Sequence, residues 1–287
     1  MNNTISSRQA ASILNVNEST IKRWADTNII KCVRTAGGHR KFYLEDIRKL
    51  AQEQDLRLPV LSVNKDRSKL RRLIRDIDHE KLSEELKRNL LNEDVNGSFV
   101  LLYDLYFSNI KTEEIFDKVV RVAMEKIGKG WRENTLTVEQ EHIASNTLVS
   151  ALYQYEKSIV PSRNNGKMAI CAGMQNETHA IGLLCVKIFL RHLGYDVVYP
   201  GTNLPVRSIF HLMDEYKPAV LCITISTAYK DLQTNSGLKK LAKKSAETGT
   251  TLIIGGQTIC ASSGSPENNF CKTISELSSR LKKKKLE

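Results

Sequence analysis

From residue 167 onward, short apolar runs alternate with helical patterns, and this alternation constrains the fold more than any other feature of the sequence. Four apolar runs are typical of buried strands, and the intervals between them carry apolar residues at spacings of three and four. The predicted strands span residues 168–172, 196–199, 220–226 and 251–254, and the predicted helices span 180–193, 206–216 and 238–248. Because strand–helix–strand units favour parallel strands, this region is predicted to form a doubly wound α/β sheet, Rossmann-like or flavodoxin-like.

The loop after the first predicted strand carries an acid, a histidine and a glycine, as Glu177, His179 and Gly182. Open α/β sheets bind ligands at the carboxyl ends of their strands, which is where this loop is expected. A neutral imidazole is a good ligand for a transition metal, and a neighbouring carboxylate fixes its tautomer. The alternative is an ordinary polar loop in which Glu177 and Thr178 help to cap the following helix. The residues alone leave both interpretations open.

The positive charge of the chain is concentrated at one end. Residues 1–75 hold 16 Lys and Arg against 7 Asp and Glu, which accounts for +9 of the net charge of +11. A basic segment joined to a nearly neutral body indicates nucleic-acid binding through that segment. The alternative is a basic surface that serves only solubility.

Two short helical patterns, at residues 6–14 and 18–25, follow one another with a turn between them. This arrangement predicts a helix-turn-helix, and the adjacent Gly37 and Gly38 then permit a tight β-ribbon or wing. Side chains suited to phosphate and base contacts lie on the outer faces and along the ribbon. They are Arg8, Ser19, Thr20, Lys22, Arg23, Arg34, Gly38, His39, Arg40 and Lys41.

These N-terminal motifs resemble the winged helix-turn-helix of the MerR family. The matching segments are Thr-Ile-Lys-Arg-Trp at residues 20–24, Gly-Gly-His-Arg at 37–40 and Tyr-Leu-Glu-Asp-Ile-Arg at 43–48. The resemblance covers about residues 4–53 and implies that the ten residues just named contact duplex DNA. Trp24 is interpreted as a core residue, and His39 as a residue of the wing or the backbone contact, not as a metal ligand.

Residues 76–161 are predicted to be helical, with periodic apolar segments at 80–91, 99–107, 112–128 and 138–160 and breaks at 96–97, 109–111 and 128–130. Four helices of this length suggest a small bundle. Trp131 precedes a helix on which Val138, Glu141, His142 and Ser145 share one side, because spacings of three and four place residues on the same face. A packed Trp beside a surface Glu–His pair explains this pattern equally well.

The Glu-Thr-His-Ala-Ile-Gly segment at residues 177–182 is similar to the signature of cobalamin-binding domains. The resemblance implies that His179 is the lower axial ligand of cobalt, that Glu177 holds its other nitrogen, and that Gly182 lets the corrin approach. Trp131 with Glu141 and His142 resembles the bundle motif of the CarH and LitR photoreceptor group. There it implies an upper wall of Trp131, Val138, Glu141 and His142 against an adenosyl group.

Further positions match the cobalamin-binding pattern, and two depart from it. Residues 199–205 resemble the second strand-to-helix loop, Ser226 the serine near the nucleotide tail, and Gly255 with Gly256 the end of the fourth strand. The usual Ser-x-Leu is here Ser-Thr-Ala at residues 226–228. Light-responsive members carry His directly after the bundle Trp, whereas Arg132 stands here, and a guanidinium remains protonated and does not ligate metals.

Together these resemblances imply three domains: a DNA-binding head at residues 1–75, a bundle capping the cofactor at 76–161, and a cobalamin-binding domain at 162–287. The expected function is a non-enzymatic transcriptional regulator, most readily a repressor, whose dimer or tetramer and operator binding respond to adenosylcobalamin. A cobalamin mutase or methyltransferase fits less well, since no barrel-sized catalytic domain is present. A MerR-type regulator that senses another ligand or a protein partner stays open.

The remaining features predict a cytoplasmic protein without a membrane partner. No apolar run approaches the ~20 residues of a membrane helix, and the first residues lack a secretory signal pattern. The six cysteines are scattered and never paired as Cys-x-x-Cys, which is typical of reduced, mostly buried thiols.

Overall fold

The structure is a computed structural model that describes residues 4–14, 16–35, 37–43, 46–47, 50, 73–74, 76–159, 162–225, 232–256 and 269–283. The chain divides into two compact units, Met1–Arg71 and Arg72–Glu287. No helix within the described ranges is both long and apolar enough to cross a membrane.

The first unit is a helix-turn-helix flanked by a small antiparallel sheet. Its elements are β1 (Thr4–Ser6), α1 (Ser7–Leu14), α2 (Glu18–Asp26), β2 (Cys32–Arg34) and β3 (Arg40–Tyr43). The sheet has the order β1-β3-β2, so the β2–β3 hairpin forms the predicted wing, and β1 adds a strand that the sequence pattern did not indicate. Ile5, Leu14, Ile21 and Phe42 are buried beneath both helices and the sheet. Apolar residues at helical spacing thus hold α1 and α2 against the hairpin.

The second unit begins with a helical bundle. Its elements are α3 (His79–Leu91), α4 (Val95–Phe107), α5 (Thr112–Glu114), a π-helical stretch π1 (Ile115–Val120), α6 (Arg121–Arg132) and α7 (Val138–Ser158). Asp78 accepts a hydrogen bond from the Lys81 amide and caps α3, and Thr137 forms a capping box with Gln140 at α7. Leucines spaced by three and four on α3 and α4 are buried, which explains the bundle.

Two of the breaks predicted in the bundle are wrong. The Asn-Gly pair at residues 96–97 lies inside the first turn of α4, where Asp94 accepts a 2.7 Å hydrogen bond from the Gly97 amide. The glycines at 128 and 130 lie inside α6, which continues to Arg132. A Cβ atom at Gly130 would lie 2.9 Å from Cδ1 of Leu136, so this glycine makes room for the turn that follows the helix.

The bundle is followed by a four-stranded parallel sheet with helices between its strands. The elements are β4 (Met168–Met174), α8 (Ile181–His192), β5 (Asp196–Leu204), α9 (Val206–Tyr216), β6 (Val220–Thr224), α10 (Leu232–Glu247), β7 (Thr251–Gly255) and α11 (Ile274–Lys283). The strand order is β5-β4-β6-β7, so β4 lies in the interior of the sheet. The chain first adds β5 on one side of β4 and then adds β6 and β7 on the other side, with all strands parallel. This confirms the predicted doubly wound fold, with its switch point at the carboxyl end of β4.

The sheet differs from the prediction at β5 and at α11. Residues 199–204, predicted as a loop, continue β5 as far as Leu204, with register shifts against β4. Pro200 is tolerated there because β5 is an edge strand and needs fewer backbone donors. Helix α11 was not predicted.

Two buried clusters of polar contacts join the bundle to the sheet region. Asp117 of π1, only 5% exposed, accepts hydrogen bonds from the Ile274 amide at 2.8 Å and the Ser275 amide at 2.9 Å, and so caps α11. Glu156 of α7 pairs with Lys187 at 2.8 Å and with Arg191 at 2.7 Å, both on α8. Helix α8, which begins beside the His179 loop, is thereby fixed to the bundle.

Candidate functional sites

The loop after β4 is organised by a buried carboxylate. Glu177 is 1% exposed, and its Oε1 accepts hydrogen bonds from the His179 backbone amide at 2.7 Å and from the ring nitrogen Nδ1 at 3.0 Å. The Glu177 amide donates to the Met174 carbonyl at 2.9 Å, which folds the loop back onto the strand end. A buried carboxylate needs such donors, since an unpaired charge would be costly there.

His179 differs from Glu177 in its exposure. Its side chain is 67% exposed although Nδ1 is held by the buried carboxylate. A carboxylate at Nδ1 favours the tautomer with its proton on that nitrogen, so the lone pair of the neutral ring is on Nε2. This is the arrangement in which a histidine ligates a metal with a second group orienting it.

The start of α8 does not support the helix-capping interpretation of Glu177. Ala180 is the N-cap residue and makes no side-chain capping hydrogen bond, while the Glu177 carboxylate is engaged with His179. Gly182 lies in the first turn of α8 and is exposed, and among the described atoms none lies within 4 Å of the position that its Cβ would take. The space in front of Gly182 is therefore open in the described structure.

The other glycines at this edge of the sheet are explained by contacts within the protein. A Cβ at Gly173 would lie 2.9 Å from the Thr202 Cα, because β4 and β5 approach closely there. Gly255 accepts a 2.9 Å hydrogen bond from the Ile225 amide. Gly256 has a φ of +153°, and a Cβ there would overlap the carbonyl oxygen of Ile225. Gly256 is thus required by the backbone itself, and Ser226 lies outside the described residues.

The bundle residues of the predicted cofactor wall are largely exposed. Trp131 lies in the last turn of α6 and Val138 opens α7, and each is 48% exposed. Glu141 accepts a 2.8 Å hydrogen bond from Ser145 Oγ, and the Glu141 Oε2 lies 3.6 Å from Nε2 of the exposed His142. The structure thus joins Glu141 with His142, and separately Glu177 with His179.

The predicted DNA-contacting residues of the first unit are mainly exposed. Arg8, Ser19, Lys22, Arg23, Arg34, Gly38 and His39 are exposed, and Thr20, Arg40 and Lys41 are half-buried. Gly38, with a φ of +77°, forms the turn of the wing, where its amide donates to the Thr35 carbonyl at 2.8 Å. A positive φ of this kind favours glycine.

Sequence reasoning missed one charged residue beside these. Asp26, the last residue of α2, accepts a 2.5 Å hydrogen bond from Nη2 of Arg40, whose side chain is only 19% exposed. Nη2 of Arg34 lies 3.8 Å from the same carboxylate oxygen. No local pattern signals this pair, since it joins a helix end to a strand 14 residues away.

Comparison with known proteins finds two family models that match segments of the chain. A model described as a helix-turn-helix domain matches residues 4–55, and one described as a B12 binding domain matches residues 67–156. The chain joins a helix-turn-helix domain to a B12 binding domain. The B12 binding match falls on the helices and ends before β4.

Two known proteins are similar to parts of this chain. Over 94 residues this chain is 31% identical to the HTH-type transcriptional repressor CarH of Myxococcus xanthus, covering 33% of this chain and 31% of the repressor. The alignment thus spans about a third of that relative's length. The monomethylamine corrinoid protein of Methanosarcina barkeri has a similar structure, with a TM-score of 0.55 and 16% identity, over 70% of this chain and 97% of that protein. At this identity the likeness concerns the fold, and the predicted fold class is confirmed.

Proposed function

We propose that this chain is a cobalamin-dependent transcriptional regulator of the MerR type, a cytoplasmic repressor whose operator binding is controlled by adenosylcobalamin. The observation that carries the proposal is the pair of Glu177 and His179, in which a buried carboxylate orients an exposed imidazole at the switch point of the sheet. An imidazole oriented in this way needs no rearrangement before it binds a metal.

The residues of this edge fit a corrin. His179 would hold cobalt through Nε2, Glu177 would hold the tautomer, and the open space at Gly182 would admit the flat face of the macrocycle. When bound, cobalamin would supply a cobalt ion that a protein nitrogen can ligate. Everything else in the proposal depends on how this chain's residues bind and enclose the cofactor.

The upper wall is proposed to consist of Trp131, Val138, Glu141 and His142. Trp131 and Val138 expose apolar side-chain area to water, which does not stabilise the free protein. A bound adenosyl group would cover this area. The B12 binding match over the bundle supports a role for these helices in holding the cofactor. Domain limits of 1–75, 76–161 and 162–287 are proposed on the same basis.

The first unit is proposed to bind duplex DNA through its exposed basic side chains, with α2 facing the bases and the wing the backbone. Cobalamin held by the second unit would change how protomers associate into a dimer or tetramer. The number of linked heads then changes operator affinity, because a second head binds at a high effective concentration.

The test combines a spectrum with a binding assay. The purified full chain is incubated with adenosylcobalamin, freed of unbound cofactor, and examined by absorption spectroscopy, size and duplex DNA binding. The proposal expects bound cobalamin, a change of oligomer size and salt-sensitive DNA binding. The proposal is contradicted if the chain takes up no cobalamin, or if its DNA affinity is the same with and without cobalamin.

One alternative is favoured by a specific observation, the exposed Arg132 beside Trp131. A guanidinium cannot ligate cobalt, so the chain would respond to the supply of cobalamin, or to another ligand or partner, and not to light. Illumination of the loaded chain distinguishes these cases. The alternative expects unchanged oligomer size and DNA affinity in the light, with Arg132→His as the variant in which cofactor retention after illumination rises.

A further inference from the structure

The feature that the proposed function does not use is the charge cluster formed by Asp26, Arg34 and Arg40. The antiparallel register of β2 and β3 places Arg34 directly opposite Arg40. Two like charges directly opposite each other on paired strands are destabilising. The negative charge of Asp26 offsets this repulsion, since its Oδ1 lies 2.5 Å from Nη2 of Arg40 and 3.8 Å from Nη2 of Arg34.

The position of Asp26 on α2 points the same way. Asp26 is the last residue of the helix, where the backbone carbonyls carry partial negative charge. An acid is unfavourable there, and Asp26 makes up for this only through its cationic partners on the wing. The acid is thus explained by its contact with the hairpin and not by the helix that carries it.

The two arginines differ in how they meet solvent. The Arg40 side chain is 19% exposed and that of Arg34 is 59% exposed, so the first guanidinium lies against protein and the second against water. A phosphate contact requires an accessible donor. Arg34 meets that requirement in this structure, and Arg40 is committed to Asp26.

We propose that Asp26 is a positioning residue that fixes the wing against α2, and that Arg40 serves DNA binding through Asp26 and not through a phosphate. Arg34 is the phosphate-contacting member of the opposed pair. This inference rests on the proposed DNA binding. It also reverses the simple electrostatic expectation, in which removing a negative charge from a DNA-binding surface strengthens binding to DNA.

The first test asks whether removal of the Asp26 charge weakens or strengthens DNA binding. Asp26→Asn in the full chain should weaken binding to duplex DNA about fivefold, as expected for the loss of one well-formed ion pair, and Asp26→Glu should restore most of it. The matched control is Glu18→Gln, which removes an equal charge from the same helix, where Glu18 pairs with Lys22 at 2.9 Å and not with the wing arginines Arg34 and Arg40 among the ion pairs of the described residues. The control should leave binding unchanged or tighter. Tighter binding by Asp26→Asn overturns the proposal.

The second test uses the salt dependence of binding. Each neutralised phosphate contributes about one to the slope of log affinity against log salt concentration. Arg34→Ala should lower this slope by about one, whereas Arg40→Ala should weaken binding with the slope unchanged. An equal loss of slope in both variants would mean that Arg40 contacts phosphate directly.

A third measurement needs no DNA and separates this inference from the proposed function. In the free chain, the wing is closed by hydrogen bonds from the Gly38 amide to Thr35 at 2.8 Å and from the Thr35 amide to His39 at 3.0 Å. Asp26→Asn should speed hydrogen exchange at these amides about fivefold, and Glu18→Gln should not. Unchanged exchange overturns the positioning role. A parent chain that binds no duplex DNA, with exchange responding as expected, contradicts the proposed function alone.

Discussion

The two halves of the proposed cofactor site differ in how far each is complete by itself. In the loop after β4, Glu177 is buried, and its Oε1 accepts hydrogen bonds from the backbone amide and from Nδ1 of His179. The bundle half presents Trp131 and Val138 with about half of each side chain exposed, each at 48%. In the first half the imidazole is held by a neighbouring side chain, and in the second half apolar area is exposed.

This difference teaches where specificity and affinity would come from. A group held in its bound geometry loses little conformational freedom on binding, so the His179 half should contribute mainly affinity. An exposed apolar wall contributes only for a ligand large enough to cover it, so the Trp131 half should contribute mainly selectivity. The following experiments either separate these two contributions or show that they are not separable.

The largest effect should come from the oriented half. We expect His179→Ala to abolish cobalamin uptake, because the only proposed protein ligand of cobalt is removed. Glu177→Gln should weaken uptake by about 10–100-fold, as is usual for a residue that orients a metal ligand. His211→Ala is the matched control, since it removes an exposed imidazole on α9, away from both halves, and should leave the spectrum of the bound cofactor unchanged. Uptake by His179→Ala with the parent spectrum would show that the cobalt ligand lies elsewhere.

A smaller effect should come from the exposed half. We expect Trp131→Ala to reduce the preference for adenosylcobalamin over methylcobalamin about tenfold, because the covering ring is lost, while the methyl form binds as before. Tyr216→Ala provides the control, since Tyr216 is an exposed aromatic residue at the end of α9. Binding constants for both cofactor forms would be measured by spectral titration. Equal affinities in the parent chain would leave no selectivity for this wall to provide.

An intermediate test separates folding from cofactor contact. Asp117→Ala should lower the free energy of unfolding by about 1–3 kcal/mol, because the amides of Ile274 and Ser275 lose their acceptor. The spectrum of cobalamin bound to the folded variant should stay that of the parent, since Glu177 and His179 are untouched. Asp214→Ala, which removes an exposed partner of Lys244, is the control and should change stability little. A changed spectrum in Asp117→Ala would mean that the loop depends on the bundle for its geometry.

The smallest effect concerns the bundle alone. A hydrogen bond from Lys126 lowers the pKa of Glu84 below its ordinary value of 4.5. Since the folded pKa is lowered, this stabilisation is present above the unfolded pKa and is lost as the pH falls through the folded pKa. We expect Glu84→Gln to flatten slightly the loss of thermal stability below about pH 4.5, with cobalamin binding unchanged at neutral pH. An identical pH profile for parent and variant would show that this contact contributes nothing.

The parts of the molecule that could be predicted from the sequence are those determined by residues close together along the chain. The order of strands and helices follows from apolar runs, and the Glu177–His179 contact joins residues two positions apart. The end of α6 was predicted wrongly because Gly130 looks like a helix break, although it is needed for contact with Leu136. The extension of β5 through Pro200 was missed because an edge strand cannot be recognised from its own residues.

The missed polar contacts share a different cause. Asp26 meets Arg40 at a separation of 14 residues, and Asp117 meets Ser275 at a separation of 158. Such pairs follow no helical or strand period, since the fold and not the local chain brings them together. Arg40 and Arg34 are both of the residue type that is typical of DNA contacts. In the structure they differ in burial, since the side chain of Arg40 lies against Asp26.

The capping of α11 by Asp117 has a consequence for how the protein is made. Because its amide donor at Ser275 lies 158 residues further along the chain, the bundle is synthesised long before this contact can form. Until α11 is present, the carboxylate of Asp117 needs water as its hydrogen-bond partner, so the face of π1 that α11 later covers is expected to stay hydrated. A contact between residues so far apart in the sequence is expected to form late in folding.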